Sequence, residues 1–391
     1  MKPIAAAEFA GRRERLLDQA RERGLSGCVL FDEKYIRYFT GFGFLATERP
    51  VAFAVNLAGE MVVFVPEFEV ERVRAETAFE RVESYPEYPG LEHPMRILGR
   101  VLADMGIGAA GADQDGYPGI LGYEGPLLSE VTGQLVVDLA AFIESMMVRK
   151  SPAEVELIRE SARWCEAAHR LLQQYSVPGA TEAEASLRAG HEATLAMLAA
   201  IGHTGQQSSS DGVSAGYRGQ IGLRSSWAHA VAHNIEFQVS DMLVTETSAP
   251  IWGYHAELER GMVIGPPSAE VRRMFDHTVA AQQVAFDAFR PGVTCADIDG
   301  AVLAYFEANG LLGNWRQHVG HGIGLSNHEA PFLDIGDQTP IEPGMVFTIE
   351  PGVYANDIGG FRHSDTVVVT PDGIEILTDY PRDIEHLTIL A

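Results

Sequence analysis

The chain has 391 residues, 46% of them apolar, and a formal charge of −25 from 29 basic and 54 acidic side chains. That length suits two domains with sizeable cores, and the acidic surplus without a long basic run argues against nucleic acid or an anionic membrane as partner. No apolar stretch of about 18 residues occurs, and three scattered cysteines (Cys28, Cys165, Cys295) indicate neither a disulfide framework nor a cysteine zinc site. The first residues lack an apolar leader core, so a cytoplasmic protein is the expectation.

Residues 8–24 read as an amphipathic helix closed by Gly24. GCVLFD at 27–32 reads as a short buried strand, and 50–66 as two strands around an Asn-Leu-Ala-Gly turn. Helical patterns follow at 67–77 and 94–105, and LVVDLAAFIESM carries the chain to Met147. This alternation predicts an α/β domain over residues 1–150. It shows no cluster of His, Asp or Cys, so it is expected to support or cover a site rather than perform chemistry.

From Ser151 the pattern changes. Ser151-Pro152-Ala153-Glu154 is a capping box with proline at the first helical position, opening a helix that runs to the Val177-Pro178-Gly179 stop. Thr181 to Glu184 repeats the box for a helix reaching about Ile201. The glycine- and serine-rich stretch 203–220 reads as a loop. After it come WAHAVAHN at 227–234, a β-rich run at 241–265, a helix near 269–289, an Arg-Pro-Gly turn and a helix near 295–308. Residues 151–391 are therefore expected to form a second domain, with helices on one side and curved β-structure on the other.

The densest chemistry lies between His318 and Asp365. Gly320, Gly322 and Gly324 surround His321 and permit close backbone approach. His328 and Glu329 follow, and the β-rich run MVFTIE delivers Glu350 at its end, stopped by Pro351 and Gly352. Two histidines and a glutamate on short, glycine-hinged elements are the parts of metal sites and of acid–base sites. The bland reading of His328 and Glu329 is a turn cap, and that of Arg362 an ion pair with Asp365 or another sheet residue. The GHGIG run lacks the Lys-Ser/Thr of a phosphate loop, so a nucleotide cradle is set aside.

RKSPAEVELIRESA, the GYH…R-G stretch, GHGIGLSNHE, EPGMVFTIEPGVY and GFRHSDTVVVT together resemble the Xaa-Pro peptidase (aminopeptidase P/prolidase) and creatinase family. The resemblance covers nearly the whole chain. It implies an N-terminal α/β creatinase-type domain and a C-terminal pita-bread domain, a curved antiparallel sheet flanked by helices. It also implies a homodimer. Peptidases of that family hold two divalent ions with two aspartates, a histidine and two glutamates. Laid on this chain without gaps, those positions are Glu246, Glu257, His321, Glu350 and Ser364. Glutamate for aspartate lengthens the arm by one methylene, and serine for the bridging glutamate removes a charge and a bidentate ligand. The expectation is therefore a site with no metal cofactor. The alternative is a divalent ion (Mn, Co, Zn or Fe) on Glu246, Glu257, His321 and Glu350.

The metal-free branch of that family is creatinase-like, and Glu259 in AELER matches its ALER glutamate, with His229 lying 30 residues upstream at its acid–base position. The resemblance then implies hydrolysis of a C–N bond in a small, cationic amidine, guanidine or amide substrate. His229 would carry the proton, with His233 as its rival. Glu259 and Glu350 would bind the cation. His321 and His328 would polarise a carbonyl or grip a carboxylate, and Arg362 would pair with one. Glu246 and Glu257, without a metal, would need a cationic partner or a raised pKa. Two alternatives stand beside this expectation: an Xaa-Pro metallopeptidase acting on short peptides at a remodelled metal site, and a non-catalytic binding module on the same fold.

Overall fold

The computed structural model describes residues 4–202 and 212–390, so the serine-rich part of the expected loop, 203–211, lies outside the described residues. The chain divides into two compact units, which part between Met147 and Val148.

In the first unit, α1 (Ala6–Glu22) turns Leu16, Leu17 and Ala20 inward and leads through Gly24, at φ +68°, to β1 (Gly27–Leu30). The strand stops two residues before Asp32. That side chain accepts from the Lys34 N–H and caps α2 (Glu33–Thr40), a helix absent from the sequence-based expectation. β2 (Ala52–Asn56) and β3 (Met61–Pro66) form the expected hairpin, with Asn56 Oδ1 accepting from the Ala58 and Glu60 N–H groups inside its turn. Then come α3 (Val70–Glu76), β4 (Val82–Tyr85), α4 (Pro94–Asp104), β5 (Ala110–Ala112), α5 (Leu128–Thr132), β6 (Val136–Asp138) and α6 (Ala140–Met147). The sheet runs β4-β3-β2-β1-β5-β6, with β2 antiparallel to both neighbours and the remaining pairs parallel. Its four central strands are buried almost throughout, as sheet faces covered by helices require.

The second unit opens on α7 (Pro152–Tyr175) and α8 (Glu182–Ile201), and both predicted capping boxes form. Ser151 Oγ accepts from the Glu154 N–H while Glu154 reaches back to the Ser151 N–H, and Thr181 and Glu184 do the same. Leu157, Ile158, Ala162, Cys165, Ala168 and Leu172 recur at three- and four-residue steps and make the buried face of α7. The chain continues through β7 (Ser214–Gly216), β8 (Met242–Val244), β9 (Glu246–Ser248), β10 (Glu257–Glu259) and β11 (Gly261–Ile264) to α9 (Ala269–Ala288) and α10 (Cys295–Ala308). It ends in β12 (Gly320–Gly322), β13 (Glu329–Leu333), β14 (Val346–Ile349), β15 (Gly352–Ala355), β16 (Gly359–Arg362), β17 (Ser364–Thr370), β18 (Gly373–Ile376) and β19 (Thr388–Ile389). An eight-stranded sheet is ordered β13-β12-β14-β17-β10-β9-β7, with β18 also on β17, and every pair in it is antiparallel. β19-β11-β8 and β15-β16 form smaller sheets. All three cysteines are free and buried, and no helix among the described residues is long and apolar enough to cross a membrane.

Arg260, between β10 and β11, fastens the middle of this unit. It is fully buried and uses all five of its N–H donors. They reach Asp365 Oδ1 (2.8 Å) and the carbonyls of Glu259, Ser364, Tyr380 and Pro381. Asp365 is completed by Thr378 Oγ1 at 2.6 Å and Gln282 Nε2 at 2.9 Å. The sequence offered Asp365 or another sheet residue as the partner of Arg362; in the structure Arg260 takes Asp365 and Arg362 pairs with Glu259 on β10. Arg260→Met leaves a buried carboxylate uncompensated and is expected to cost about 3–5 kcal/mol in chemical denaturation. A loss below about 1 kcal/mol would show that Asp365 does not depend on it.

Candidate metal centre

β12, β14, β17 and β10 are consecutive neighbours in the large sheet, and their register collects the polar groups of the sequence analysis on one side. Side chains two apart on a strand share a face, so Glu257 and Glu259 point together while Leu258 turns to the core. Glu259 pairs in register with Ser364, and Leu258 with Asp365. Glu350 follows directly on β14, whose Ile349 also pairs with Asp365. His321 is brought against them by glycine: a Cβ on Gly320 would lie 2.0 Å from the Thr348 carbonyl oxygen, and one on Gly322 would lie 2.8 Å from two carbonyl oxygens of β13. Gly324 is equally constrained, since a Cβ there would meet Glu329 and Lys150 at 2.8 Å.

Glu257, His321 and Glu350 are buried, and one donor atom from each lies within 4.8 Å of the others. His321 Nδ1 is 3.0 Å from the Gly322 carbonyl, which can only accept, so Nδ1 carries the ring hydrogen. Nε2 is therefore the ring nitrogen left to take a proton or a metal ion. It is buried and sits 3.0 Å from Glu350 Oε1. A proton on Nε2, or a metal ion shared with Glu350 Oε1, satisfies that approach. Ser364 Oγ donates to Glu257 Oε1 at 2.8 Å and Thr348 Oγ1 to Glu350 Oε1 at 3.2 Å, fixing both carboxylates by one oxygen. Donors held 2.0–2.2 Å from a small divalent ion are themselves about 3–4.4 Å apart, which this triad meets with small side-chain rotations. A mixed imidazole and carboxylate set suits Mn, Fe, Co or Zn. The residues present fit a divalent ion.

The electrostatics make the same demand. Burial pushes the Glu257 carboxyl up, and the charges of Glu350 and Glu259 add to it. Burial also disfavours charge on His321, but hydrogen bonding and charge from Glu350, with the charge of Glu257, outweigh it and hold the imidazolium up to about 9. A proton occupies the cluster when no metal ion does.

The other expected residues are placed as follows. Arg362 is buried and clasps Glu259 through both Nε and Nη2, the latter at 2.6 Å, while its Nη1 donates to Tyr354 Oη at 3.2 Å and the Ala228 carbonyl at 3.3 Å. Glu259 thus serves Arg362. His328 stacks on His321, ring centroids 3.8 Å apart, with its other side exposed. Burial and the neighbouring His321 push its pKa down to about 4, so it is neutral at pH 7. His229 and His233 are both exposed; His229 follows Ala228, while the His233 backbone N–H is tied to Glu182. Glu329 is buried on Lys150 Nζ at 2.8 Å and accepts from the Ser326 N–H, which closes the loop carrying His328. Glu246 stands outside the triad, and its Oε2 faces Arg218 Nε at 2.7 Å.

Sequence reasoning assigned no role to three residues of the site and its surroundings. Arg218 carries Glu246 and stands 3.6 Å from Glu259, in a left-handed backbone conformation (φ +49°) that arginine rarely adopts. Lys150 was visible only as part of a motif. Glu182, at the first turn of α8, accepts from the Gly219, His233 and Asn234 N–H groups and so ties down both arms of the segment bearing Arg218 and His229. Glu182→Ala is expected to cost about 1–3 kcal/mol, since it strands buried donors, and to speed proteolysis within residues 217–234. Unchanged stability and cleavage would contradict that role.

Residues 156–371 match the family described as Metallopeptidase family M24, and residues 12–119 match the Creatinase/Prolidase N-terminal domain. The probable dipeptidase PepE of Mycobacterium tuberculosis is 28% identical over 97% of this chain and 96% of its own length. The Xaa-Pro dipeptidase of Pyrococcus furiosus is 33% identical over 42% of this chain and 47% of its own. Among solved structures, dipeptidase PepE from Mycobacterium ulcerans superimposes with a TM-score of 0.81 at 25% identity, covering 100% of both chains.

Two expectations are corrected. The creatinase-like hydrolysis of a cationic amidine is overturned by these matches, which run to dipeptidases over almost the full chain. The metal-free site is overturned by the metallopeptidase family and by the Glu257–His321–Glu350 triad. The longer glutamate arm did not take Glu257 out of reach of the other donors, because its position on β10 and the Ser364 hydroxyl hold it there. With a creatinase-type N-terminal domain and a pita-bread C-terminal domain, this chain is a hydrolase that belongs to metallopeptidase family M24.

Proposed function

We propose that the chain is a metal-dependent dipeptidase that cleaves the peptide bond before proline. The observation that carries this reading is the convergence of buried donor atoms from Glu257, His321 and Glu350, with His321 Nε2 3.0 Å from Glu350 Oε1. Its similarity to proteins named dipeptidase and Xaa-Pro dipeptidase supports the substrate class. Glu257, His321 and Glu350 would hold the ion. When bound, it supplies Lewis-acid polarisation of the scissile carbonyl and a water of lowered pKa.

The chain's own residues supply the rest. Neutral His328, backed by the His321 ring, offers its exposed edge to the substrate as a hydrogen-bond partner. His229, on the exposed segment beside Ala228, delivers a proton to the leaving nitrogen. Arg362, kept in place by Glu259 and Tyr354, presents fixed positive charge next to Glu350, with its Nε 3.8 Å from Glu350 Oε2. Glu246 acts through Arg218 rather than on the metal. In this reading the protein works as a cytoplasmic homodimer on short peptides.

Hydrolysis of Xaa-Pro dipeptides is expected to vanish after exhaustive chelation and to return with Mn²⁺ or Co²⁺. His321→Ala should abolish both metal retention and turnover. His229→Ala should retain the metal and lower kcat about 10²–10⁴-fold. Full activity in chelator would overturn the reading.

A further inference from the structure

Among the described residues, the charges around the triad can be counted pair by pair. Glu329 is matched by Lys150 at 2.8 Å, Asp365 by Arg260 at 2.8 Å, Glu259 by Arg362, and Glu246 by Arg218 at 2.7 Å. Two buried carboxylates remain without a close arginine or lysine partner, Glu257 and Glu350, the latter 3.8 Å from the Arg362 Nε that clasps Glu259, and His321 between them is a neutral donor once a metal displaces its proton. Their joint charge is that of one divalent ion. The Arg218 guanidinium covers the only other carboxylate in the neighbourhood that has an exposed side, and it reaches on to Glu259 Oε1 at 3.6 Å. It therefore lies where a second cation would have to bind.

From this we infer that the centre holds a single divalent ion and that Arg218 stands in for a second. The inference rests on the metallopeptidase reading. Three features support it independently of net charge. Glu246 is absent from the set of converging donors. Ser364 offers a hydroxyl that is already committed to Glu257, so no residue bridges from β17. Glu182 accepts from the N–H of the residue after Arg218, whose backbone is left-handed, and the partly exposed guanidinium is placed by its ion pair with Glu246 at 2.7 Å. Because Arg218 is a fixed cation beside the triad, it also weakens the ion it accompanies, through like-charge repulsion across the site.

The test is a titration of the metal-stripped, full-length protein with Mn²⁺, followed by calorimetry and by elemental analysis of the dialysed product. One equivalent per chain is expected for the wild type. Arg218→Met is expected to bind about tenfold more tightly, since a neighbouring like charge is gone. Glu246→Gln is expected to keep one equivalent. Two equivalents in the wild type would overturn the inference while leaving the metallopeptidase reading intact, as would unchanged affinity in Arg218→Met or lost stoichiometry in Glu246→Gln. No bound manganese, cobalt or zinc in the wild type would overturn that reading and this inference together. Circular dichroism of each variant separates a lost site from a lost fold.

Discussion

Carboxylates buried on adjacent strands must each find a positive charge, and this constraint shapes the C-terminal domain. An ionised carboxylate taken out of water without a partner costs several kcal/mol. The sheet nevertheless carries Glu257, Glu259, Glu350 and Asp365 on three neighbouring strands or at their ends. Arginine answers two of them, Arg260 from the position directly after Glu259 and Arg362 from the end of β16. The other two, Glu257 and Glu350, face His321, and Glu350 has only the more distant approach of Arg362 Nε at 3.8 Å. The candidate metal centre lies where close pairing with arginine and lysine gives way to His321.

The scaffold explains why such a centre is stable in one geometry. Glycine at 320 and 322 lets β12 close on its neighbours without a Cβ in the way, so His321 is placed by backbone packing and its tautomer by the Gly322 carbonyl. Hydroxyls from Ser364 and Thr348 each hold one oxygen of a triad carboxylate, Glu257 and Glu350 respectively. Lys150, just ahead of α7, reaches across to Glu329 and fixes the loop that stacks His328 on His321. Preorganised donors of this kind lose little entropy when a ligand binds.

Much of this was legible in the chain. Capping boxes at Ser151 and Thr181 declare their helices through side-chain chemistry alone, and the glycines around His321 announced close approach before the approaching strand was known. Long-range pairing was not legible. Nothing local distinguishes Arg218 from an ordinary loop arginine, or Glu182 from an ordinary first-turn acid; their roles exist only after the 212–234 segment has folded back on α8. The metal-free expectation failed for the same reason. It weighed each donor by residue type, whereas strand register and the Ser364 hydroxyl decide whether a longer side chain can still reach the others. The α2 helix was missed because its cap, Asp32, sits at the end of an apolar run that reads as strand.

The central claim is that Glu257, His321 and Glu350 are the ligands of a divalent ion. Anomalous diffraction from a crystal grown with Mn²⁺ tests it most directly. The account predicts one manganese peak within about 2.2 Å of His321 Nε2 and of a carboxylate oxygen from both Glu257 and Glu350. A peak bound by Glu246, or a triad that remains empty at saturating manganese, would contradict it.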